Sequence, residues 1–255
     1  METITSRQNP LMTHIRKLAG SAAYRRQTGQ CLCDSPKLLR EAAQWGAEVQ
    51  TVVSVEPWPE PLPEKVRQVL VPPEVMASIS PAKTPQGVLF TCRAPVLPAP
   101  ETLPGRRYVV LDGVQDPGNV GAVLRTADAF GCTGALLLPG CADPYSLKPL
   151  RASMGAVFRL PLYTVTLPQL SALLDGAGLP LYGTALRHDT VDVRSRDLRR
   201  CALVIGSEGQ GARAETLALC RETLRIPMTP HCESLNAAAA AAVLLWEAYR
   251  AEEGN

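Results

Sequence analysis

The chain has 255 residues, of which 46% are hydrophobic and only 5% aromatic, so it supports a real core of aliphatic packing in one large domain or two modest ones. A formal net charge of +2 excludes a global polybasic signal, and no apolar run reaches the ~18–20 residues needed to span a bilayer. The charge is nonetheless uneven. Residues 3–30 hold Arg7, Arg16, Lys17, Arg25 and Arg26 without one acid, an arm that suits a polyanion or is simply the solvated face of short basic helices.

In chain order, residues 35–45 (SPKLLREAAQW) have helical periodicity behind a serine cap, 49–55 (VQTVVSV) alternate like a strand, and 87–92 (GVLFTC) close a small sheet. Twelve of the 23 prolines lie between residues 57 and 104, ending in APVLPAPETLPG (94–105). That last stretch reads as a semi-rigid linker, because proline excludes helix and makes poor strand. The expected division is therefore 1–93, a linker at 94–105, and 106–255.

Beyond the linker the pattern is regular. Strands are expected at 108–111, 135–138, 158–163, 181–184, 201–205 and 224–226. Helices are expected at 118–130, 150–156, 167–175 and 213–220, with a last one over the alanine run. Alternating β and α with continuously apolar strands predicts an α/β fold whose parallel sheet is covered on both faces, with ligands bound beyond the carboxyl ends of its strands.

The eight cysteines (Cys31, Cys33, Cys92, Cys132, Cys141, Cys201, Cys220 and Cys232) include no CxxC pair, and no signal peptide precedes them. They read as reduced core thiols of a cytosolic protein. His231 and Cys232 beside Glu233 lack a second ligand cluster, so no metal is expected.

Three loops at the strand ends carry the unusual residues. LDGVQDPGNVGAVLRTADAFG (111–131) opens a helix that sends Val120, Val123, Leu124 and Ala127 inward, with Asn119 at its start and Arg125 beside the apolar stripe. Arg125 there is either a functional cation or an ion-pair partner of Asp128 or Asp116. Gly206-Ser207-Glu208-Gly209-Gln210-Gly211 has GxxGxG spacing, which disfavours a dinucleotide site and hence a nucleotide-dependent oxidoreductase. What it offers is bare backbone N–H and C=O, suited to an adenine edge or a ribose. Ile226-Pro227-Met228 leads to Glu233-Ser234-Leu235-Asn236 and then six alanines. Ser234 or Asn236 caps that helix, and its lack of bulk lets other backbone come close.

Together and in this order, NxGxxxRT, GSEGxG and IPM…ESLN resemble the three signature motifs of the SpoU (TrmH-type) branch of the SPOUT RNA methyltransferases. The resemblance covers about 107–250 and includes DPYSLKPLRASMGAVFRLPLY (143–163). ITSRQNPLMTHIRKL and KTPQGVLF look like the small α/β RNA-binding domain that precedes the catalytic domain in many members. Cys33-Asp34-Ser35 departs from the Glu-Gly pair that relatives often carry, and the alanines after Asn236 replace alternating valine and serine.

The resemblance implies a trefoil knot at the C-terminal segment, a homodimer formed through it, and methyl transfer from S-adenosylmethionine to a ribose 2′-hydroxyl. The RNA is expected to be ribosomal, of the 23S type. The alternatives are transfer RNA or a non-catalytic RNA-binding protein of the same fold. Matched residue by residue, Gly206, Ile226 and Leu235 hold the cofactor, and Ser207, Pro227 and Met228 shape its pocket. Asn119, Arg125, Glu208, Ser234 and Asn236 form the catalytic surround. The family's proposed base falls on Arg125. A guanidinium stays protonated, so its expected role is to fix the neighbouring phosphate and stabilise the developing alkoxide.

Overall fold

The structure is a computed structural model describing residues 1–94, 97–184, 190–229, 231 and 234–253. By compactness the chain divides into two units, one of Met1–Val96 with Tyr145–Phe158 and one of Leu97–Pro144 with Arg159–Asn255. Residues 145–158, expected with the C-terminal domain, thus pack into the first unit.

The first unit contains β1 (Glu2–Thr3), α1 (Pro10–Gly20), α2 (Ala22–Thr28), β2 (Gln30–Cys33), α3 (Pro36–Gln44), β3 (Val49–Ser54), β4 (Arg67–Leu70), α4 (Pro73–Ile79) and β5 (Val88–Arg93). The strands form one mixed sheet in the order β1-β4-β3-β5-β2. Local chemistry sets the helix starts. Asn9 caps α1 ahead of Pro10, Ser21 caps α2, and Ser35 accepts from the Leu38 N–H at the start of α3. α4 begins at Pro73, whose fixed φ and missing N–H suit a first helical turn.

The basic arm is not one solvated face. α1 buries Leu11, Met12, Ile15 and Leu18 in the core, and Arg25 is itself buried, its Nη1 donating to the Leu18 carbonyl at 2.6 Å. Arg25 ties the end of α1 down and is withdrawn from any polyanion, whereas Arg7, Lys17 and Arg26 remain exposed.

Cys31 and Cys92 face each other across β2 and β5, with their Sγ atoms 3.2 Å apart and Cys33 beside them. Burial first, then the neighbouring thiols, pushes Cys33 up. For Cys92 the hydrogen bond with Cys31 is the larger upward influence. No disulfide joins cysteines among the described residues; Cys232 and Glu233 lie outside them.

The second unit runs β6 (Arg107–Asp112), α5 (Pro117–Ala129) and β7 (Gly134–Leu137). After α6 (Leu147–Ser153, in the first unit) come β8 (Leu162–Thr164), α7 (Leu167–Ala177), β9 (Leu181–Thr184), β10 (Val191–Asp192), β11 (Cys201–Gly206), α8 (Ala214–Ala218), β12 (Glu222–Arg225) and α9 (Ala237–Glu253). All seven strands are parallel, in the order β10-β12-β9-β11-β6-β7-β8. β6 and β11 are buried along their whole length, as a sheet covered on both faces requires.

The proline-rich stretch joins this core from Leu97 onward. Leu97 pairs with Tyr163, Leu103 is buried, and the Tyr108 hydroxyl donates to the Pro104 carbonyl at 2.5 Å.

α9 packs on α5 and β11. Its buried positions are Ala237, Ala241, Leu244, Leu245 and Ala248, the 3–4 spacing of one helical face. Near its far end the buried Arg107 donates from Nη1 to the Ala248 carbonyl at 2.5 Å. Among the described residues no helix is long and apolar enough to cross a membrane.

Candidate active site

The register of the two central strands sets Gly206 directly beside Asp112 at their carboxyl ends. After Gly206 the chain turns back on itself, and Ser207 and Gly211 exchange backbone hydrogen bonds of 2.9 and 3.0 Å. Gly211 sits at φ +71°, a left-handed conformation that glycine adopts without strain. The returning backbone then crosses so close over Gly206 that a Cβ there would collide with the Ala212 nitrogen and the Gly211 carbonyl. Only glycine fits.

Asp112 holds this crossing in place, a role the sequence did not reveal. Its carboxylate, fully buried, accepts from the Arg213 backbone N–H at 2.8 Å and from Arg213 Nε at 2.7 Å. The available signal was an acid directly after the apolar run at 108–111, since a buried carboxylate requires a partner.

Beside the crossing lies a cleft of about 480 Å³. Of the residues expected to hold a cofactor, Gly206, Ser207, Ile226, Met228 and Leu235 line it, whereas Pro227 is not among its lining residues. The glycine-rich 206–212 turn lines one side of it, and Leu217, Leu224, Ala237 and Ala240 supply apolar wall. Leu235 stays 37% exposed at this cleft. A polar turn against apolar wall, at this size, suits the adenosine part of a small ligand.

Three of the five residues assigned to the catalytic surround form one hydrogen-bonded chain. Asn236 Nδ2 donates to Asn119 Oδ1 at 3.1 Å, and Asn119 Nδ2 donates to Glu208 Oε1 at 2.8 Å. Glu208 also accepts from the backbone N–H groups of Asp116 at 3.3 Å and Gln115 at 3.4 Å. Burial pushes the Glu208 carboxyl up, but the hydrogen bonds from Asn119 and the backbone outweigh it, and the net shift is downward. Asn236 Oδ1 meanwhile accepts from the Ala238 N–H at 2.9 Å. Asn236 is therefore both the cap of α9 and the first link of the polar chain.

Ser234 and Glu208 also line the cleft. Arg125 stands outside the chain, exposed on α5, with no ion pair or hydrogen bond among the described residues. Its two candidate acids are engaged elsewhere. Asp128 accepts from Arg159 at 2.7 and 2.9 Å, and Asp116 Oδ1 accepts from the Asn119 N–H at 2.9 Å. Arg125 pairs with neither of them among the described residues.

The SpoU rRNA methylase family profile matches residues 106–246, which contain every one of these groups. The chain belongs to the SpoU rRNA methylase family. A second profile, the MRM3-like substrate binding domain, matches residues 9–89.

Among SpoU relatives, an uncharacterized tRNA/rRNA methyltransferase of Synechocystis sp. is 36% identical, over 97% of this chain and 93% of its own. The 23S rRNA (guanosine(2553)-2′-O)-methyltransferase RlmP of Bacillus subtilis is 29% identical, over 96% and 98%. The AdoMet-bound rRNA methyltransferase of Sinorhizobium meliloti superposes with a TM-score of 0.88 at 30% identity, covering 98% of this chain and 97% of that one. The knot expected at the C-terminal segment is implied by this SpoU fold.

The lowered Glu208 pKa sets the pH range of the polar chain. A carboxylate depressed on folding contributes stability above its unfolded value, near 4.5, and loses it as the pH falls through the lower folded value. A carbon-detected NMR titration of Glu208 is expected to give a midpoint below 4.5, and Asn119→Ala is expected to move that midpoint upward. A midpoint unchanged by Asn119→Ala would show that the side-chain contact does not form in solution.

Proposed function

We propose that this SpoU-family enzyme transfers a methyl group from S-adenosylmethionine to a ribose 2′-hydroxyl of ribosomal RNA. The observation that carries the reading is the cleft lined by the 206–212 turn set beside the Asn119–Glu208–Asn236 chain, with Arg125 left unengaged. When bound, S-adenosylmethionine supplies an electrophilic methyl on a sulfonium sulfur. Gly206, Ile226 and Leu235 hold it, with Ser207 and Met228 shaping the walls. Ribosomal RNA is favoured over transfer RNA because the Bacillus subtilis and Sinorhizobium meliloti relatives are rRNA methyltransferases.

A 2′-hydroxyl is a weak nucleophile and must shed its proton as it attacks. Glu208 is a poor acceptor for that proton. Its lowered pKa weakens it as a base, and its oxygens already take hydrogen bonds from Asn119 and the backbone. Its role is to hold Asn119, and through it Asn236, in fixed orientation. Arg125 binds the phosphate next to the reacting ribose and stabilises the charge that develops on the 2′-oxygen, while that phosphate or a water takes the proton. Positioning supplies much of the remaining acceleration.

The enzyme works as a homodimer in this reading. Trp246 is 49% and Val243 39% exposed on α9, and the Trp246 ring lies 5.6 Å from Phe130 and 6.1 Å from Tyr249. An aromatic patch on the outer side of a packed helix pair suits a second copy of the same surface. With ribosomal RNA of the 23S type as substrate, this reading places the enzyme in the cytoplasm.

Arg125→Ala is expected to bind S-adenosylmethionine normally in a calorimetric titration yet lose about 2.7–4 kcal/mol of transition-state stabilisation, roughly 10²–10³ in single-turnover methyl transfer. Arg125→Lys restores little, since an ammonium lacks the planar two-pronged contact. Leu235→Arg fills the cleft and abolishes cofactor binding. Transfer from tritiated S-adenosylmethionine is measured on 23S rRNA transcripts, with transfer RNA as comparison; near-normal transfer by Arg125→Ala sinks the mechanism, and label only on transfer RNA sinks the substrate. For the dimer, sedimentation equilibrium of Trp246→Glu is expected to show monomer where the wild type shows dimer, and a monomeric wild type rejects the assembly.

A further inference from the structure

The first unit contains a second cleft, of about 490 Å³, that no part of the methyl-transfer site uses. We propose that it holds one unpaired nucleotide of the RNA substrate, with the base between apolar walls and the adjoining phosphate on Lys37 and Arg151. This rests on the reading of the protein as an RNA methyltransferase and adds to it a separate recognition site.

The cleft joins opposite chemistries. Ala82 and Met154, over the buried Leu38, offer apolar surface against which a base can lie, and the Gln86 amide offers both a donor and an acceptor to a base edge. Two cations, Lys37 and Arg151, stand in its lining against one carboxylate, Asp34. That carboxylate is almost sealed, its side chain 4% exposed, and it is spent on Arg151, whose Nε donates to Asp34 Oδ1 at 2.9 Å and whose Nη2 donates to Oδ2. Asp34 thereby fixes the plane of a guanidinium that is still 45% exposed and leaves Nη1 outside the fork. A held guanidinium plane suits a phosphate, or the face of a base, better than a mobile one.

The backbone at the cleft is also constrained. Met154, at φ +51°, is the one non-glycine residue with positive φ among the described residues. Gly155 follows at φ +92°, where a Cβ would come within 2.9 Å of the Glu41 side chain on α3. Met154 is the left-handed cap that ends α6, its N–H donating to the Arg151 carbonyl, so the helix end that carries Arg151 also brings Met154 to the cleft.

The match to a substrate-binding domain spans 9–89 and so includes Asp34, Lys37, Leu38, Ala82 and Gln86, but neither Arg151 nor Met154. Those two come from the stretch that interrupts the second unit in sequence and packs in the first. Single-stranded rather than duplex RNA is indicated, because a pocket of this size takes one splayed-out base and no helix.

The test uses the full chain and fluorescein-labelled decauridylate and decaadenylate, with a duplex RNA of equal length. Lys37→Ala, an exposed change, is expected to weaken single-strand binding several-fold and to lower the salt slope by about one. Gln86→Ala is expected to alter the ratio of affinities for the two decamers. Titration with S-adenosylmethionine stays as in the wild type. A decamer carrying 4-thiouridine is expected to photocrosslink at residues 82–86 or at Met154.

Wild-type affinity in Lys37→Ala together with crosslinks only elsewhere overturns the proposal, as does displacement of the decamers by a phosphopeptide at equal concentration. Failure of the enzyme reading looks different. A protein that crosslinks at this cleft but transfers no methyl to ribosomal RNA loses its assigned reaction and keeps the site.

Discussion

The whole active site depends on one close backbone approach, the passage of residues 211–212 over Gly206. A side chain at 206 would lie inside the Ala212 nitrogen and the Gly211 carbonyl, so the turn closes only because nothing is there. The closed turn sets the backbone of residues 206–212 along one side of the cleft at the end of a parallel strand. It also aims Glu208 back toward the start of α5, where the backbone at 115–116 and the Asn119 amide receive it. The carboxylate of Asp112, buried beneath, keeps the turn from opening by holding both the backbone and the side chain of Arg213.

From that crossing, a polar path runs to the last helix. Glu208 orients Asn119, Asn119 accepts from Asn236, and Asn236 caps α9. The cap that starts the alanine helix and the far end of the polar chain are the same side chain. Packing accounts for two alanines of the run, Ala237 and Ala241, which lie with Ala248 on the buried face where α9 meets α5 and β11. Bulk at those positions would push α9 off the elements that align Asn119 and Asn236. Stability and chemistry are therefore coupled through one helix start.

The polar loops were legible because each breaks the local pattern at a strand end. Glycines without a dinucleotide spacing, an asparagine in the first turn after a strand and a polar quartet before six alanines each stand out singly, and it is their order along the chain that marks them as a site. The regular strands of the second unit were legible from continuous apolar runs. Two features were not. Arg25 reads as part of a basic arm, and only the fold shows it buried under the end of α1. Residues 145–158 carry nothing in their periodicity that assigns them to the first unit; the pairing of Arg151 with Asp34, 117 positions apart, does so, and no local rule reaches that far. Asp112 was hidden for a related reason, since its partner Arg213 is 101 positions away.

The most direct measurement is calorimetric titration of S-adenosylmethionine into Gly206→Ala, with thermal unfolding of the same sample. If the crossing builds the cofactor floor, the variant melts below the wild type but is folded at the titration temperature, and shows no binding at concentrations that saturate the wild type. Binding at wild-type affinity by folded Gly206→Ala would contradict the account, because the floor would then not depend on the approach that only glycine permits.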